Sequence, residues 1–145
     1  MINSTGKILI VESRFYEDIA DSLARGACAT LEAANQTVER LAVPGVFEIP
    51  SAIQFAWNDE IFIGCVTLGC VIRGETDHYD HICREVSRAL MNLSVEQKIP
   101  HGFGLLTCEN REQAWERADT KQRNNGARAA EACLRMIEIK TFNPS

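Results

Sequence analysis

Three short apolar runs and one segment with β-branched residues alternate along the chain with segments in which apolar residues recur every three to four positions. The apolar runs predict β-strands at Lys7–Glu12, Glu60–Gly69 and Gly102–Cys108, and the β-branched content of Thr37–Val43 favours a fourth. The helical spacing predicts α-helices over about 17–34, 47–57, 82–97, 111–118 and 129–137. Alternating strands and helices favour a parallel sheet, because right-handed crossovers return each strand in the same direction. We therefore expect one α/β domain over residues 1–145, with a four-stranded parallel sheet flanked by helices on both faces.

Composition and charge exclude several classes of protein. Of the 145 residues, 46% are apolar and 24% charged, as in an average globular domain and unlike a disordered or collagen-like chain. The net charge of −5 argues against binding to nucleic acid, which requires neutralisation of phosphates. No apolar run approaches the roughly 20 residues that span a membrane. The polar start leads directly into a strand-like run, so we expect no signal peptide and a cytoplasmic location.

Six cysteines are present, and we expect them to be reduced and mostly buried. They lie mainly in apolar strand or helix patterns and form no C-x-x-C pair, at Cys28, Cys65, Cys70, Cys83, Cys108 and Cys133. Without a secretory signal, this pattern favours free thiols over a disulfide framework.

The segment from Gly69 to His81 is the richest candidate for chemistry. It joins a strand end to a helix start, where unpaired backbone N–H groups and the helix dipole attract anions. Gly74 allows close approach of a ligand, and Thr76 caps the helix or donates to a phosphate oxygen. His78, in the first helical turn, suits general acid–base chemistry. The alternatives are a capped loop without a ligand and a surface histidine without a role.

The same segment also contains side chains that are able to ligate a metal ion. His78, Asp80, His81 and Cys83 carry suitable ligand atoms, and the two histidines are three residues apart. We expect no metal, because no second cluster with ligand spacing accompanies them.

Two further strand ends carry candidate binding residues. The Pro-Gly break before Val46, Phe47 and Glu48 predicts unpaired N–H groups that bind a polar ligand, although an ordinary turn is the alternative. Phe15 follows the first strand, where an aromatic ring stacks on a heterocycle or simply joins the core. Arg117 belongs to a basic run that either is a solvated helix face or binds a phosphate.

Taken together, these segments resemble the lumazine synthase family, the 6,7-dimethyl-8-ribityllumazine synthases of riboflavin biosynthesis. The matching segments are Ser13–Phe15, Val43–Pro50 (VPGVFEIP), Thr67–Tyr79 (TLGCVIRGETDHY), Gly102–Asn110 (GFGLLTCEN) and Glu112–Lys121 (EQAWERADTK). The resemblance implies a three-layer, flavodoxin-like α/β fold. It also implies a transferase that joins 5-amino-6-(D-ribitylamino)uracil to 3,4-dihydroxy-2-butanone 4-phosphate without cofactor or metal, releasing phosphate and water.

The resemblance also implies roles for individual residues. His78 is expected to transfer protons. The expected contacts to ribitylaminouracil are Phe15, Val46, Phe47, Glu48, Cys70, Val71, Ile72 and Phe103. The expected contacts to phosphate are Glu75, Thr76 and Arg117. Phe103 and Arg117 correspond to residues that a neighbouring subunit contributes. The chain departs from the family at Cys70, where threonine is common, and at Asn125, where many relatives have lysine.

A shared site implies a homo-oligomer, with a pentamer as the minimum and assembly into decamers or 60-subunit shells left open. The small-molecule substrates are the other expected partners, and the product would pass to riboflavin synthase. Three alternatives remain: a non-catalytic flavin or lumazine carrier, a shell protein whose function is assembly, and a flavodoxin-like electron carrier. The last is disfavoured because no Ser/Thr/Gly-rich loop follows the first strand.

Overall fold

The computed structural model describes residues 6–74 and 78–142. Its strands are β1 (Lys7–Ser13), β2 (Thr37–Val43), β3 (Phe62–Ile72) and β4 (His101–Cys108). Its helices are α1 (Glu17–Ala33), α2 (Ile49–Ala56), α3 (His78–Glu96), α4 (Arg111–Ala118) and α5 (Asn125–Lys140), with a 3₁₀ turn at Val46–Glu48 before α2. The alternation of strands and helices expected from the sequence is confirmed.

The four strands form one parallel sheet in the order β2-β1-β3-β4. Side chains alternate between its faces, so Ile8 and Ile10 pack with α1, α4 and α5, whereas Leu9 and Val11 pack with α2 and α3. The helices thus cover both faces, which confirms the expected three-layer α/β fold. The arrangement brings the carboxyl ends of β1, β2 and β3 together at one edge of the sheet.

Element boundaries differ from the expectation in three places. We expected a polar loop from Cys70, but β3 continues to Ile72 because β4 pairs with it as far as the Ile72–Cys108 register pair. The chain then remains attached to β4, since the Arg73 N–H donates to the Cys108 carbonyl at 2.8 Å. The expected helix over 47–57 is divided into the 3₁₀ turn and α2. Helix α3 begins at His78, one turn before the periodic apolar residues.

A buried carboxylate connects β1 and β2 below the site. Glu12 is only 2% exposed and accepts hydrogen bonds from Arg40 Nε at 2.7 Å and from Arg14 Nη1 at 2.7 Å. Burial raises the pKa of Glu12, but the hydrogen bonds from the two arginines outweigh it and hold that pKa below its ordinary value. The charged end of β1 is therefore part of the packed structure.

His101 predicts a specific dependence of stability on pH. Its ring Nε2 lies 2.8 Å from the Thr67 hydroxyl, and burial lowers the pKa of His101 from 6.5 to about 4. Between these values the unfolded chain binds the proton and the folded chain does not, so stability falls as pH falls through this range. We expect urea unfolding to show lower stability at pH 5 than at pH 7, and the loss to shrink in His101→Gln.

Glu12 is also buried, but it titrates in a more acidic range than the His101 effect. Its pKa in the folded chain lies below the ordinary glutamate value, so its contribution to stability is present above that value and is lost only in more acidic solution. An equal loss of stability between pH 7 and pH 5 in the parent chain and in His101→Gln would contradict the assignment to His101.

Candidate active site

A cavity of about 480 Å³ lies where β1 and β3 end, against the start of α3. The predicted binding residues that line it are Phe15, Val46, Phe47, Glu48, Cys70, Val71, Ile72 and His78. They come from four separate segments of the sequence. The parallel topology brings these segments to one place, as expected for a ligand site beyond the carboxyl ends of parallel strands.

Two exposed aromatic rings belong to this cavity. Phe15 is 72% exposed and Phe47 is 59% exposed, although both have large apolar side chains. The Phe15 and Tyr16 rings meet in a T-shaped contact with centroids 5.0 Å apart, and most of the Phe15 side chain stays accessible for stacking. Exposed apolar surface of this kind marks a place where a ligand or another protein chain binds. The alternative that Phe15 belongs to the core is therefore wrong.

The 3₁₀ turn at Val46–Glu48 forms the wall opposite Phe15. Val46 is buried, and the Glu48 N–H donates to the Gly45 carbonyl at 3.2 Å. We expected the Glu48 N–H to be unpaired, and that expectation is wrong because the turn closes on itself. The unpaired state of the Val46 and Phe47 N–H groups stays a prediction.

Cys70 is a neutral thiol at the base of the cavity. Burial raises the pKa of Cys70 to about 12, and the neighbouring Cys108 thiol adds to the rise. A thiol with so high a pKa does not act as a nucleophile near neutral pH, so the site has to work through groups other than Cys70.

His78 opens α3 at the edge of the cavity. Arg73, which follows β3, joins the first turn of this helix to the segment that follows β4. Arg73 pairs with Asp80 at 3.5 Å and with Glu109 at 3.0 Å, and its guanidinium lies 4.3 Å from the centre of the Tyr79 ring. These contacts fix the start of α3 against the ends of β3 and β4. Glu75 and Thr76, the other predicted phosphate contacts, lie outside the described residues.

Phe103 and Arg117 do not line this cavity within the described parts of one chain. Phe103 is 47% exposed on the edge strand β4 and borders a separate groove with Asn125 and Arg128. Arg117 lies in α4, where it donates to the Gln113 carbonyl at 3.3 Å. One chain therefore assembles the aromatic and histidine part of the predicted site and leaves these two residues elsewhere on its surface.

Residues 6–74 and 78–142 contain no group of three or more His, Cys, Asp or Glu side chains that is arranged to hold a metal ion. All six cysteines are free, and four of them are buried, as expected. In the same residues, no helix combines the length and the apolar character that crossing a membrane requires.

Sequence reasoning assigned no individual binding role to four residues that line the cavity: Ser13, Tyr16, Gly45 and Ile82. Two of them had a detectable signal. Ser13 continues the alternation of Leu9 and Val11 along β1, and Ile82 lies four residues after His78 on α3. Tyr16 and Gly45 had none, because turn residues follow no hydrophobic period.

Comparison with known proteins agrees with the geometry. The pattern of the family described as 6,7-dimethyl-8-ribityllumazine synthase matches residues 5–141. A protein of that name from Bartonella tribocorum is 50% identical over 134 residues, covering 92% of this chain and 89% of the relative. Another from Agrobacterium fabrum is 50% identical over 138 residues, covering 92% of this chain and 93% of the relative. This chain therefore belongs to the 6,7-dimethyl-8-ribityllumazine synthase family of enzymes.

Proposed function

We propose that this chain condenses 5-amino-6-(D-ribitylamino)uracil with 3,4-dihydroxy-2-butanone 4-phosphate to give 6,7-dimethyl-8-ribityllumazine, phosphate and water. The observation that carries the proposal is that Phe15, the Val46–Glu48 turn, the end of β3 and His78 line one and the same cavity. These residues have the types and the order implied by the family. The cavity is large enough for a substituted heterocycle, and it offers an open aromatic face on which such a ring stacks.

The proposed reaction begins when the 5-amino group of the uracil attacks the ketone and water leaves, giving an imine. Phosphate is then eliminated, and the ribitylamino nitrogen closes the second ring on the new carbonyl with loss of water. Imine formation and ring closure move protons between nitrogen and oxygen. Elimination of phosphate removes a proton from the adjacent hydroxyl-bearing carbon and gives an enol, which becomes the new carbonyl. Proton transfer in these steps is the role proposed for His78. The raised pKa of Cys70 argues against that thiol as a nucleophile, so the proposed route has no covalent intermediate on Cys70.

Positioning is the larger part of the proposed catalysis. Both substrates are already reactive, and holding two molecules in one geometry supplies up to roughly 7–11 kcal/mol. Phe15 would hold the pyrimidine by stacking, and Val46, Phe47, Glu48, Val71 and Ile72 would enclose its ring or ribityl chain. Glu75, Thr76 and Arg117 would hold the phosphate.

We further propose that Phe103 and Arg117 complete the cavity of an adjacent copy of this chain. Their location outside the chain's own cavity supports this, as do the exposed Phe15 and Phe47 rings, which a second chain would cover. A ring of at least five copies would repeat the arrangement without leaving an open interface. The free thiols fit a reducing cytoplasm, where the product would pass to riboflavin synthase.

The proposal is tested by an assay with both substrates that follows lumazine absorbance and phosphate release together. We expect the two signals to rise in equal amounts and to require both substrates. Fluorescence quenching by lumazine without phosphate release would identify a carrier or sensor instead of an enzyme. Ordered assembly without either signal would identify a shell protein.

A further inference from the structure

The turn that carries Phe15 joins the end of β1 to the start of α1. Most of the Phe15 side chain is exposed, so packing against the rest of the chain does little to hold its ring in place. Its ring contact is with Tyr16, the N-cap residue of α1, whose side chain makes no capping hydrogen bond in the described structure. The position of the Phe15 ring therefore depends on what holds the backbone of this turn.

The side chain of Arg14 bridges the two ends of this turn. Its Nη1 donates to Glu12 Oε1 at 2.7 Å, and its Nη2 pairs with Asp21 Oδ1. Glu12 belongs to β1, whereas Asp21 lies in the second turn of α1. A guanidinium presents several N–H donors in one rigid plane, so one side chain is able to bind two carboxylates at once. Arg14 thus joins the strand before Phe15 to the helix after it.

The Glu12 end of this bridge is fixed to the sheet. Glu12 is buried, and Arg40 on β2 also donates to it, through Nε at 2.7 Å and Nη2 at 2.9 Å. Solvent screens an ion pair with a buried carboxylate much less than an exposed pair. The Asp21 end is more exposed and is weaker for that reason. Arg14 is therefore anchored to the packed part of the sheet directly before Phe15.

We propose that Arg14 is a positioning residue that holds the Phe15 ring in place for stacking on the heterocycle. The inference rests on the proposed function. Arg14 is not among the described residues that line the cavity, so it acts through the turn and not by touching a ligand. A ring that is already held in place loses less freedom when a ligand binds. Ordering one mobile side chain on binding lowers affinity by about 2- to 10-fold.

A double-mutant cycle on Arg14 and Phe15 tests the proposal, with 6,7-dimethyl-8-ribityllumazine titrated into each full-length variant by calorimetry. We expect the Kd to rise about 3- to 10-fold in Arg14→Ala and about 10-fold or more in Phe15→Ala. Because Arg14 acts through the ring, adding Arg14→Ala to Phe15→Ala should change the Kd by less than about 2-fold. Arg14→Lys, which keeps the charge and loses the fork, should give a smaller rise, and it carries the same cycle if Arg14→Ala does not fold.

Arg40→Ala is the matched control. It removes the hydrogen bonds from β2 to Glu12 and leaves Arg14 with both of its carboxylate partners, so it should lower the melting temperature and leave the Kd unchanged. An equal rise of the Kd in Arg40→Ala and Arg14→Ala would overturn the proposal, because weakening of the whole ion cluster would then explain both.

Two other results would also overturn the proposal: a parental Kd in Arg14→Ala, or an undiminished effect of that change in the Phe15→Ala chain. The proposed function would stand in all three cases, since the parent chain would still bind the lumazine and turn over the two substrates. A parent chain that does neither would overturn both.

Discussion

His78→Ala is expected to lower kcat by about 10²–10⁴-fold while leaving activity clearly above the uncatalysed reaction. His78 is the first residue of α3 and lines the cavity, so its imidazole is placed to exchange protons with a bound substrate. Its removal slows proton transfer but leaves Phe15 and the Val46–Glu48 turn in place to hold the substrates. We therefore expect little change in the KM of either substrate, measured in the steady-state assay with both.

His81→Ala is the control for this variant. His81 lies one turn further along α3 and does not line the cavity, so its replacement should leave kcat unchanged. Total loss of activity in His78→Ala, with lumazine binding intact, would contradict the view that positioning contributes most of the rate enhancement.

Arg117→Ala is expected to lower kcat/KM for the phosphate substrate by about 100-fold or more. A guanidinium fork makes two charge-assisted bonds to a phosphate, each worth about 1.5–3 kcal/mol. The loss should appear as a higher KM for 3,4-dihydroxy-2-butanone 4-phosphate, with a smaller effect on the KM of the uracil. Arg117→Lys should recover part of it, since lysine keeps the charge and loses the fork.

Helix α4 offers a control close to Arg117. Arg123 follows α4 and pairs with Glu116 on that helix at 3.2 Å, so Arg123→Ala changes the local charge without removing the predicted phosphate contact. We expect its kinetic constants to match those of the parent. Equal increases in both KM values in Arg117→Ala would indicate that the residue supports the fold of the site and does not bind phosphate.

The sequence predicts most of the fold because hydrophobic spacing reports burial. The run Lys7–Glu12 is apolar on both faces and is covered on both faces, so its assignment as a strand was confirmed. Cys70–Ile72 was misassigned because local polarity rises after it. Only pairing with β4, a contact distant in the sequence, keeps it extended. The burial of Glu12 was invisible for the same reason, since it depends on Arg40 in the neighbouring strand.

The candidate site was also only partly predictable from the sequence. The resemblance named the residues of the cavity wall, such as Phe15 and His78, because they lie in long motifs. It gave no individual role to Tyr16 or Ile82, whose place in the cavity wall appears only once the chain is folded. No spacing in the sequence connects Phe103 or Arg117 to the cavity, and one folded chain does not bring them there.

Subunit complementation tests most directly whether Phe103 and Arg117 of an adjacent chain complete each cavity, as we propose. His78→Ala and Arg117→Ala chains, co-expressed in equal amounts with different tags, would assemble together. If the site is shared, roughly one site in four joins an intact His78 to an intact Arg117. Assayed with 3,4-dihydroxy-2-butanone 4-phosphate well below the KM of Arg117→Ala, the mixture should therefore recover about a quarter of the parental activity. If each chain carries its whole site, every site has one defect. Activity equal to the mean of the two separate variants would then contradict the account.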